Sequence, residues 1–318
     1  MTFSSIAKNE ISKIVIENKC CQIAELSALI KMTGTIQIQG SNNLGIRLST
    51  ENASIARRLF TMLKNNFDIH TKVIVRKNKQ LKKNNNYTLY IDYGMGSENI
   101  LKSVSILTDS PQGKKINYRL PVQLIKKSCC KKAYLRGAFL GGGSVSDPEK
   151  AYHLEIVTTN EAYSEDLKKL INSYDLNAKV VERKGNYVVY LKEGEQIVDL
   201  LNIIGAHNAL LNFENTRIYK EMRNNVNRIV NCETANLNKT VNAAMRQIEN
   251  IRFVIKKIGL DKMPQGLSEI AELRLKYPDV SLKELGELMN PPIGKSGVNH
   301  RLRKLDELAA TLRTKLNE

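Results

Sequence analysis

From Ile36 to Leu48 the chain alternates between apolar and polar residues, with Ile36, Ile38, Leu44, Ile46 and Leu48 in the apolar phase. That period predicts a two-stranded hairpin with one buried face. The spacing then changes. Ala53, Ala56, Leu59, Phe60 and Leu63 recur as they would on one face of an amphipathic helix. "TKVIVRK" (71–77) and "NYTLYI" (86–91) predict a second strand pair, and Ile100, Leu101, Val104 and Leu107 a closing helix. Residues 1–19 read as a separate N-terminal helix.

The succession occurs twice. "IRLSTENASIARRLFTMLKNNFDIHTKVIVRK" (46–77) lies over "LEIVTTNEAYSEDLKKLINSYDLNAKVVERK" (154–184), so Ile46 falls on Leu154, Leu59 on Leu167 and Leu63 on Ile171. After a one-residue gap Asp68-Ile69 falls on Asp175-Leu176 and Arg76-Lys77 on Arg183-Lys184, and "NYTLYI" falls on "NYVVYL" (186–191). The second copy closes on Ile197 to Ile204. Upstream, "CCQIAELSALIKMTGTI" (20–36) matches "CCKKAYLRGAFLGGGSV" (129–145). A unit of about 110 residues is far longer than a solenoid repeat. It is a duplicated domain whose elements run α-β-β-α-β-β-α, assigned to residues 20–115 and 116–213.

Each copy opens on a helix rich in small residues: Ala24, Ser27 and Ala28 in the first, Ala133, Gly137, Ala138 and Gly141 in the second. Small side chains let helix backbones approach. The two copies are expected to dock through these helices about a pseudo-two-fold axis, with two sheets side by side.

Residues 214–262 read as a basic helical linker. Val241, Ala244, Met245, Ile248, Ile251, Ile255 and Ile258 keep helical spacing, Gly259 ends the run and Pro264 follows. Residues 263–318 predict three helices. The first runs from about Ser268 to Lys276 and stops at "YPD". The second opens with Ser281 and Glu284, a capping box, and carries Leu282, Leu285, Leu288 and Met289. After "NPPIG", Ser296 is expected to cap a third helix with Val298, Leu302, Leu305 and Leu308 inside. This is a helix-turn-helix pattern, with a turn longer and richer in proline than the minimal one. Lys295, Ser296, Gly297, Asn299, His300, Arg301, Arg303 and Lys304 are then the candidate DNA-binding residues. Asn299 suits adenine and Arg301 guanine, because each can bond bidentately to a base edge. Lys295, Arg303 and Lys304 suit phosphates.

Charge supports an anionic partner. The 318 residues carry a net charge of +17, which points to nucleic acid. Residues 1–213 hold 30 Lys/Arg against 19 Asp/Glu, while residues 263–318 hold 9 against 8. The helix-turn-helix must therefore rely on local clustering. The basic run "RKNKQLKK" (76–83) suits either a DNA-facing hairpin or a solvated loop. No signal peptide or membrane span is evident, so a cytoplasmic protein is expected. Five cysteines suggest free thiols. Cys20, Cys21, Cys129 and Cys130 could supply four thiolates, but they lack the two to four residues usual between paired zinc ligands. They read instead as small residues near helix starts, and no metal or cofactor is expected. His70, His153, His207 and His300 form no ligand spacing, and "GGG" (141–143) lacks the spacing of a phosphate-binding loop.

The two motif helices and the order of the duplicated elements resemble the LAGLIDADG homing-endonuclease fold. The nine-residue motif falls on "LSALIKMTG" (26–34) and "LRGAFLGGG" (135–143), and the likeness covers roughly residues 20–212. That resemblance implies a metal-binding acid at the end of each motif helix, since phosphodiester cleavage needs oxygen ligands for a hard cation. Thr33 and Gly142 stand there instead, and the earlier motif acid is replaced by Lys31 and Leu140. Asp147, in "SDPEK", reads as a turn residue. No catalytic residue is assigned.

An acid-less LAGLIDADG-like scaffold joined to a helix-turn-helix resembles the WhiA family of bacterial regulators. "YLRGAFLGGGSV", the "NR" and "NCETANLNKT" of 227–240, and "SLKELGELMNPPIGKSGVNHRLRKL" carry that likeness. It implies an α+β fold: a duplicated LAGLIDADG-like domain with pseudo-two-fold symmetry, followed by an all-α helix-turn-helix domain. It also implies a nucleoid-associated, double-stranded-DNA-binding transcription regulator tied to sporulation, or to cell division and chromosome segregation. RNA polymerase or another transcription factor is the candidate protein partner. The competing readings are a LAGLIDADG-type endonuclease with relocated ligands, an RNA-binding or splicing-assistant protein, and an interaction module for which DNA is secondary.

Overall fold

The computed structural model describes residues 2–39, 43–77, 85–111 and 113–317. It divides into two compact units, Met1–Glu221 and Met222–Glu318. Most of the basic run 76–83 lies outside the described residues.

The first unit opens with α1 (Phe3–Ile11), shorter than the expected helix over 1–19; the chain leaves the helix after Ile11 and resumes it at Lys19. The duplication follows. The first copy comprises α2 (Lys19–Thr33), β1 (Gly34–Gln39), β2 (Asn43–Thr50), α3 (Ala53–Phe67), β3 (Lys72–Lys77), β4 (Asn85–Ile91) and α4 (Ser97–Ser103). An extra hairpin, β5 (Leu107–Ser110) and β6 (Gly113–Ile116), comes next. The second copy comprises α5 (Ser128–Gly142), β7 (Gly143–Val145), β8 (Leu154–Thr158), α6 (Glu161–Asn172), β9 (Lys179–Arg183), β10 (Asn186–Leu191) and α7 (Gly194–Ile204). Both four-stranded sheets are antiparallel, in the corresponding orders β1-β2-β4-β3 and β7-β8-β10-β9.

Local chemistry repeats with the topology. Asn52 Oδ1 accepts from Ser54 N–H at 2.8 Å to cap α3, and Asn160 Oδ1 accepts from Tyr163 N–H at 2.9 Å to cap α6. Asp68 and Asp175, past the ends of these helices, both take the left-handed conformation that short polar side chains tolerate. Gly34 and Gly143 end the motif helices by turning the chain into β1 and β7.

Several expectations are corrected. Leu107 starts β5 instead of extending the closing helix, because α4 ends at Ser103 and Ser105 takes a positive φ of 55°. Ile38 is exposed, since it lies toward the free end of the edge strand β1. Ala53 is exposed too; Ile55, Ala56, Arg58, Leu59, Met62 and Leu63 form the buried face of α3.

The motif helices pack against each other at the centre of this unit. A Cβ at Gly137 would lie 2.4 Å from Glu25 O and 2.9 Å from Ala28 Cβ, and one at Gly141 2.4 Å from Met32 Cβ. Only glycine permits that backbone approach. Ser27 does not serve this contact: its hydroxyl donates to Val104 O at 2.8 Å and fastens α4. Beside it, buried Glu25 accepts from the Arg58 Nε, from Arg58 Nη2 at 3.0 Å and from Arg136 Nη1 at 3.2 Å. Arg58 also donates to Ser12 O and Ile14 O, and Arg136 to Ile204 O. One carboxylate thus joins both copies and the N-terminal segment.

A 52-residue helix, α8 (His207–Ile258), follows. Its first turn is capped by Glu10, whose carboxylate accepts from Asn208 N–H at 2.7 Å and Ala209 N–H at 3.0 Å. The expected linker start at 214 therefore falls inside one continuous helix. Val241 and Met245, expected on its apolar face, are exposed, whereas Ile251 and Val254 are buried.

In the second unit, α9 (Gln265–Lys276), α10 (Leu282–Glu287) and α11 (Lys295–Asn317) pack with the end of α8. Ile251, Val254, Ile270, Leu285, Met289, Val298, Leu302 and Leu305 belong to one buried cluster. The capping box at Ser281 and Glu284 is present in both directions. Leu288, expected inside, follows the end of α10 and is exposed.

Candidate nucleic-acid interface

The recognition-helix candidate is α11. Gly294 O accepts from Val298 N–H at 3.2 Å, so the helix begins one residue before Ser296, which lies in its first turn instead of capping it. With Val298, Leu302, Leu305 and Ala309 buried, helical geometry leaves Lys295, Ser296, Asn299, His300, Arg303 and Lys304 exposed around the opposite face. Leu308, expected in the buried stripe, is half-buried. Gly297 is also half-buried, and a Cβ there would come 3.3 Å from Ile293 Cδ1.

Arg301 behaves differently. Its guanidinium turns back onto α9, with Nη1 donating to Gly266 O at 3.3 Å and lying 3.7 Å from Met289 Sδ. It ties α11 to α9, while Asn299 and His300 beside it stay exposed.

Further contacts shape the connections on either side of α10. Buried Arg274 donates to Gln247 Oε1 at 3.1 Å, Pro278 O at 3.3 Å and Val280 O at 2.8 Å. Burial pulls its pKa below the ordinary arginine value. A Cβ on Gly286 would lie 2.1 Å from Ile293 O, whose own N–H donates to Gly286 O at 3.0 Å. The proline-rich turn is thus pressed against the α10 backbone.

The first unit offers a second polar surface. Across its first sheet the registers align Thr35, Arg47, Tyr90 and Lys72 in one row on the side away from the core. The matching row of the second sheet is Ser144, Glu155, Tyr190 and Lys179. Glu155 stands where Arg47 does in the first copy, so the two rows differ in charge. The alternation of β2 places Arg47 outward from sequence alone; the row needs the register.

At the motif-helix ends, Thr33 Oγ1 donates to Leu29 O at 2.8 Å, one turn back in its own helix. A Cβ at Gly142 would lie 2.1 Å from Met32 Cε and 2.7 Å from Val157 O. Lys31 Nζ donates to Arg119 O and to Asn117 O at 2.9 Å and sits 5.4 Å from the centre of the Tyr163 ring. Burial pulls its pKa down to about 8, against the pull of Asp166. Asp147 accepts from Glu149 N–H in the expected turn. No group of carboxylates gathers at either helix end among the described residues.

The opposite ends of the same helices hold a cluster that spacing argued against. The sulfurs of Cys20, Cys21, Cys129 and Cys130 all lie within 4.8 Å of one another. The usual spacing rule compares ligands along one chain segment, whereas here two helices each bring a pair. Burial pushes the Cys130 thiol up to about 11 and Cys21 higher still; the hydrogen bond from Cys21 lowers Cys129.

Comparison with known proteins matches three family models: the WhiA N-terminal LAGLIDADG-like domain over 19–107, the WhiA LAGLIDADG-like domain over 131–223 and the WhiA C-terminal HTH domain over 226–309. Relatives called "Probable cell division protein WhiA" include one from Alkaliphilus metalliredigens, 62% identical over 97% of this chain and 98% of its own. Another, from Clostridium botulinum, is 56% identical over 98% of this chain and 99% of its own. The crystal structure of full-length DUF199/WhiA from Thermatoga maritima superposes with a TM-score of 0.61 at 26% identity, covering 98% of this chain and 99% of that one. The duplicated fold, the helix-turn-helix and these matches together show that the chain belongs to the WhiA family.

Proposed function

We propose that this protein is a sequence-specific, DNA-binding transcription regulator and that the outer face of α11 reads the major groove. The observation that carries this is the polar and basic face at the start of α11, set directly opposite its buried stripe. Groove-reading residues concentrate at the start of a recognition helix. Asn299 is assigned to base contact, Ser296 and His300 flank it, and Lys295, Arg303 and Lys304 take phosphates. The names of the relatives favour a role in cell division over sporulation. Nucleoid association and contact with RNA polymerase or another transcription factor belong to the same reading.

The LAGLIDADG-like unit is proposed to act without cleaving DNA. Thr33 and Gly142 offer no carboxylate, and at Gly142 the neighbouring Met32 and Val157 leave no room for one. The Arg47 and Lys72 row favours a second duplex-contacting surface on the first sheet.

A gel-shift series against bound genomic fragments, repeated over salt concentration, tests the reading. Arg303→Ala with Lys304→Ala is expected to weaken binding to all sequences and flatten the salt slope by about two phosphate contacts, near 0.9 each. Asn299→Ala is expected to relax preference at one base position, where a good bidentate contact discriminates by about 1–3 kcal/mol. Unchanged affinity and slope in the double variant would remove α11 from the interface. Tighter binding to structured RNA than to duplex DNA would favour the splicing-assistant reading.

A further inference from the structure

The four-cysteine cluster lies outside the DNA-binding surfaces and at the opposite ends of the motif helices from the lost nuclease acids. We propose that Cys20, Cys21, Cys129 and Cys130 bind one zinc ion as a tetrathiolate that clamps the N-terminal ends of α2 and α5 together.

The geometry suits a single ion. Tetrahedral zinc with Zn–S bonds of about 2.3 Å sets its sulfurs about 3.8 Å apart. The four sulfurs already lie within 4.8 Å of one another, and Cys129 and Cys130 Sγ are 4.0 Å apart. An iron–sulfur cube would hold its cysteines wider apart, because the cluster core lies between them. A disulfide would bring sulfurs together in pairs at about 2.0 Å, with no need for four mutual neighbours.

The surroundings suit the charge. Four thiolates around a divalent ion carry a net double negative charge. Each pair occupies the second and third residues of its helix, at the positive end of the helix dipole. Lys19, Lys126 and Lys127 line a cavity with Cys20 and Cys130. Ala24 and Ala133 close the floor one turn below, with Ile16 against them. Two ligands are exposed and two buried, so an ion can enter from solvent while half its shell stays dry.

The binding step balances: zinc displaces one proton from each protonated thiol, and no oxidant or reductant takes part. The ion would hold one end of the helix pair while Gly137 and Gly141 seat the rest.

The test uses the full chain, purified under reduction without chelator. Elemental analysis should find one zinc per chain, and cobalt(II) added to metal-stripped protein should produce the intense visible bands of a tetrahedral tetrathiolate. Cys20→Ser with Cys129→Ser should lose both signals, while Cys232→Ser should retain them. Should the double variant fail to fold, thiol alkylation of the wild type decides instead: zinc should slow labelling of Cys20 and Cys129 at least tenfold relative to stripped protein and leave Cys232 unaffected. The proposal is overturned if reduced wild-type protein neither retains zinc nor gives the cobalt bands. It is equally overturned by the absorption of an iron–sulfur cluster, or by mass mapping of a disulfide among these cysteines in metal-free, freshly isolated protein. Loss of DNA binding with zinc retained would bear on the function of α11 and leave the metal site standing.

Discussion

Glu25 is a buried carboxylate with two arginines and no solvent. Removing it strands the Arg58 and Arg136 charges in the core. Glu25→Ala should therefore cost about 3–5 kcal/mol, the range for breaking one side of a buried ion pair. Chemical denaturation checks this; a loss below about 1 kcal/mol would mean the arginines find water or other partners. Gly137 is a steric case. Its missing Cβ makes room for the Glu25 carbonyl, and Gly137→Ala should destabilise by about 1–3 kcal/mol through overpacking. Arg301 separates two readings at a single position. Its contacts with Gly266 and Met289 predict that Arg301→Ala lowers the melting temperature of the protein while leaving base preference intact, whereas Asn299→Ala should do the reverse. Thermal melts and a selection of preferred sites would tell them apart.

Among the elements, α10 depends on its cap. Ser281→Ala removes the hydroxyl that accepts from Glu284 N–H, keeps the backbone N–H that donates to the Glu284 carboxylate, and should cost about 1 kcal/mol, read as a lower denaturation midpoint. Gly286→Val should do more, because Ile293 O occupies the space any Cβ would need; the expected result is loss of DNA binding together with loss of the ordered turn. In α1, Lys8 lies 5.9 Å from the centre of the Phe139 ring, and burial pulls its pKa from 10.5 to about 8. Between those values the unfolded chain holds a proton that the folded chain has released, so this group's contribution raises stability as pH rises through that window. Lys8→Met should abolish that rise. Urea midpoints of both proteins measured from pH 8 to pH 10 check the sign; parallel curves would refute it.

For the whole molecule, the net charge of +17 is spread along the chain, with a surplus of 11 over residues 1–213 and of 5 over 214–262, while residues 263–318 are nearly neutral. Non-specific binding should therefore weaken when Arg47→Ala and Lys72→Ala are combined, without change in preferred sequence, as measured on random duplexes at several salt concentrations. Incubation with plasmid and Mg²⁺ or Mn²⁺ should yield no cleavage. Gly142→Asp should not create it, because the side chain would collide with Met32 and Val157.

Much was legible along the chain. The change of period between Leu48 and Ala53, the echo of residues 46–77 in 154–184 and the box at Ser281 and Glu284 are local or repeated signals. They sufficed for the duplicated fold, for the helix-turn-helix and for the loss of both motif acids. Packing decided the rest. Leu107 obeyed the helical spacing, yet Ser105 turns the chain before it. Arg301 carries the chemistry for guanine, yet a carbonyl on another helix claims it. The four cysteines come as two vicinal pairs 109 residues apart, a separation that hides their convergence. The sequence by itself determined the repeated elements of the two copies and the three C-terminal helices, because hydrophobic period and capping act within a few residues. Only the tertiary structure decided which side chains meet, because those distances depend on how segments remote in sequence share one core.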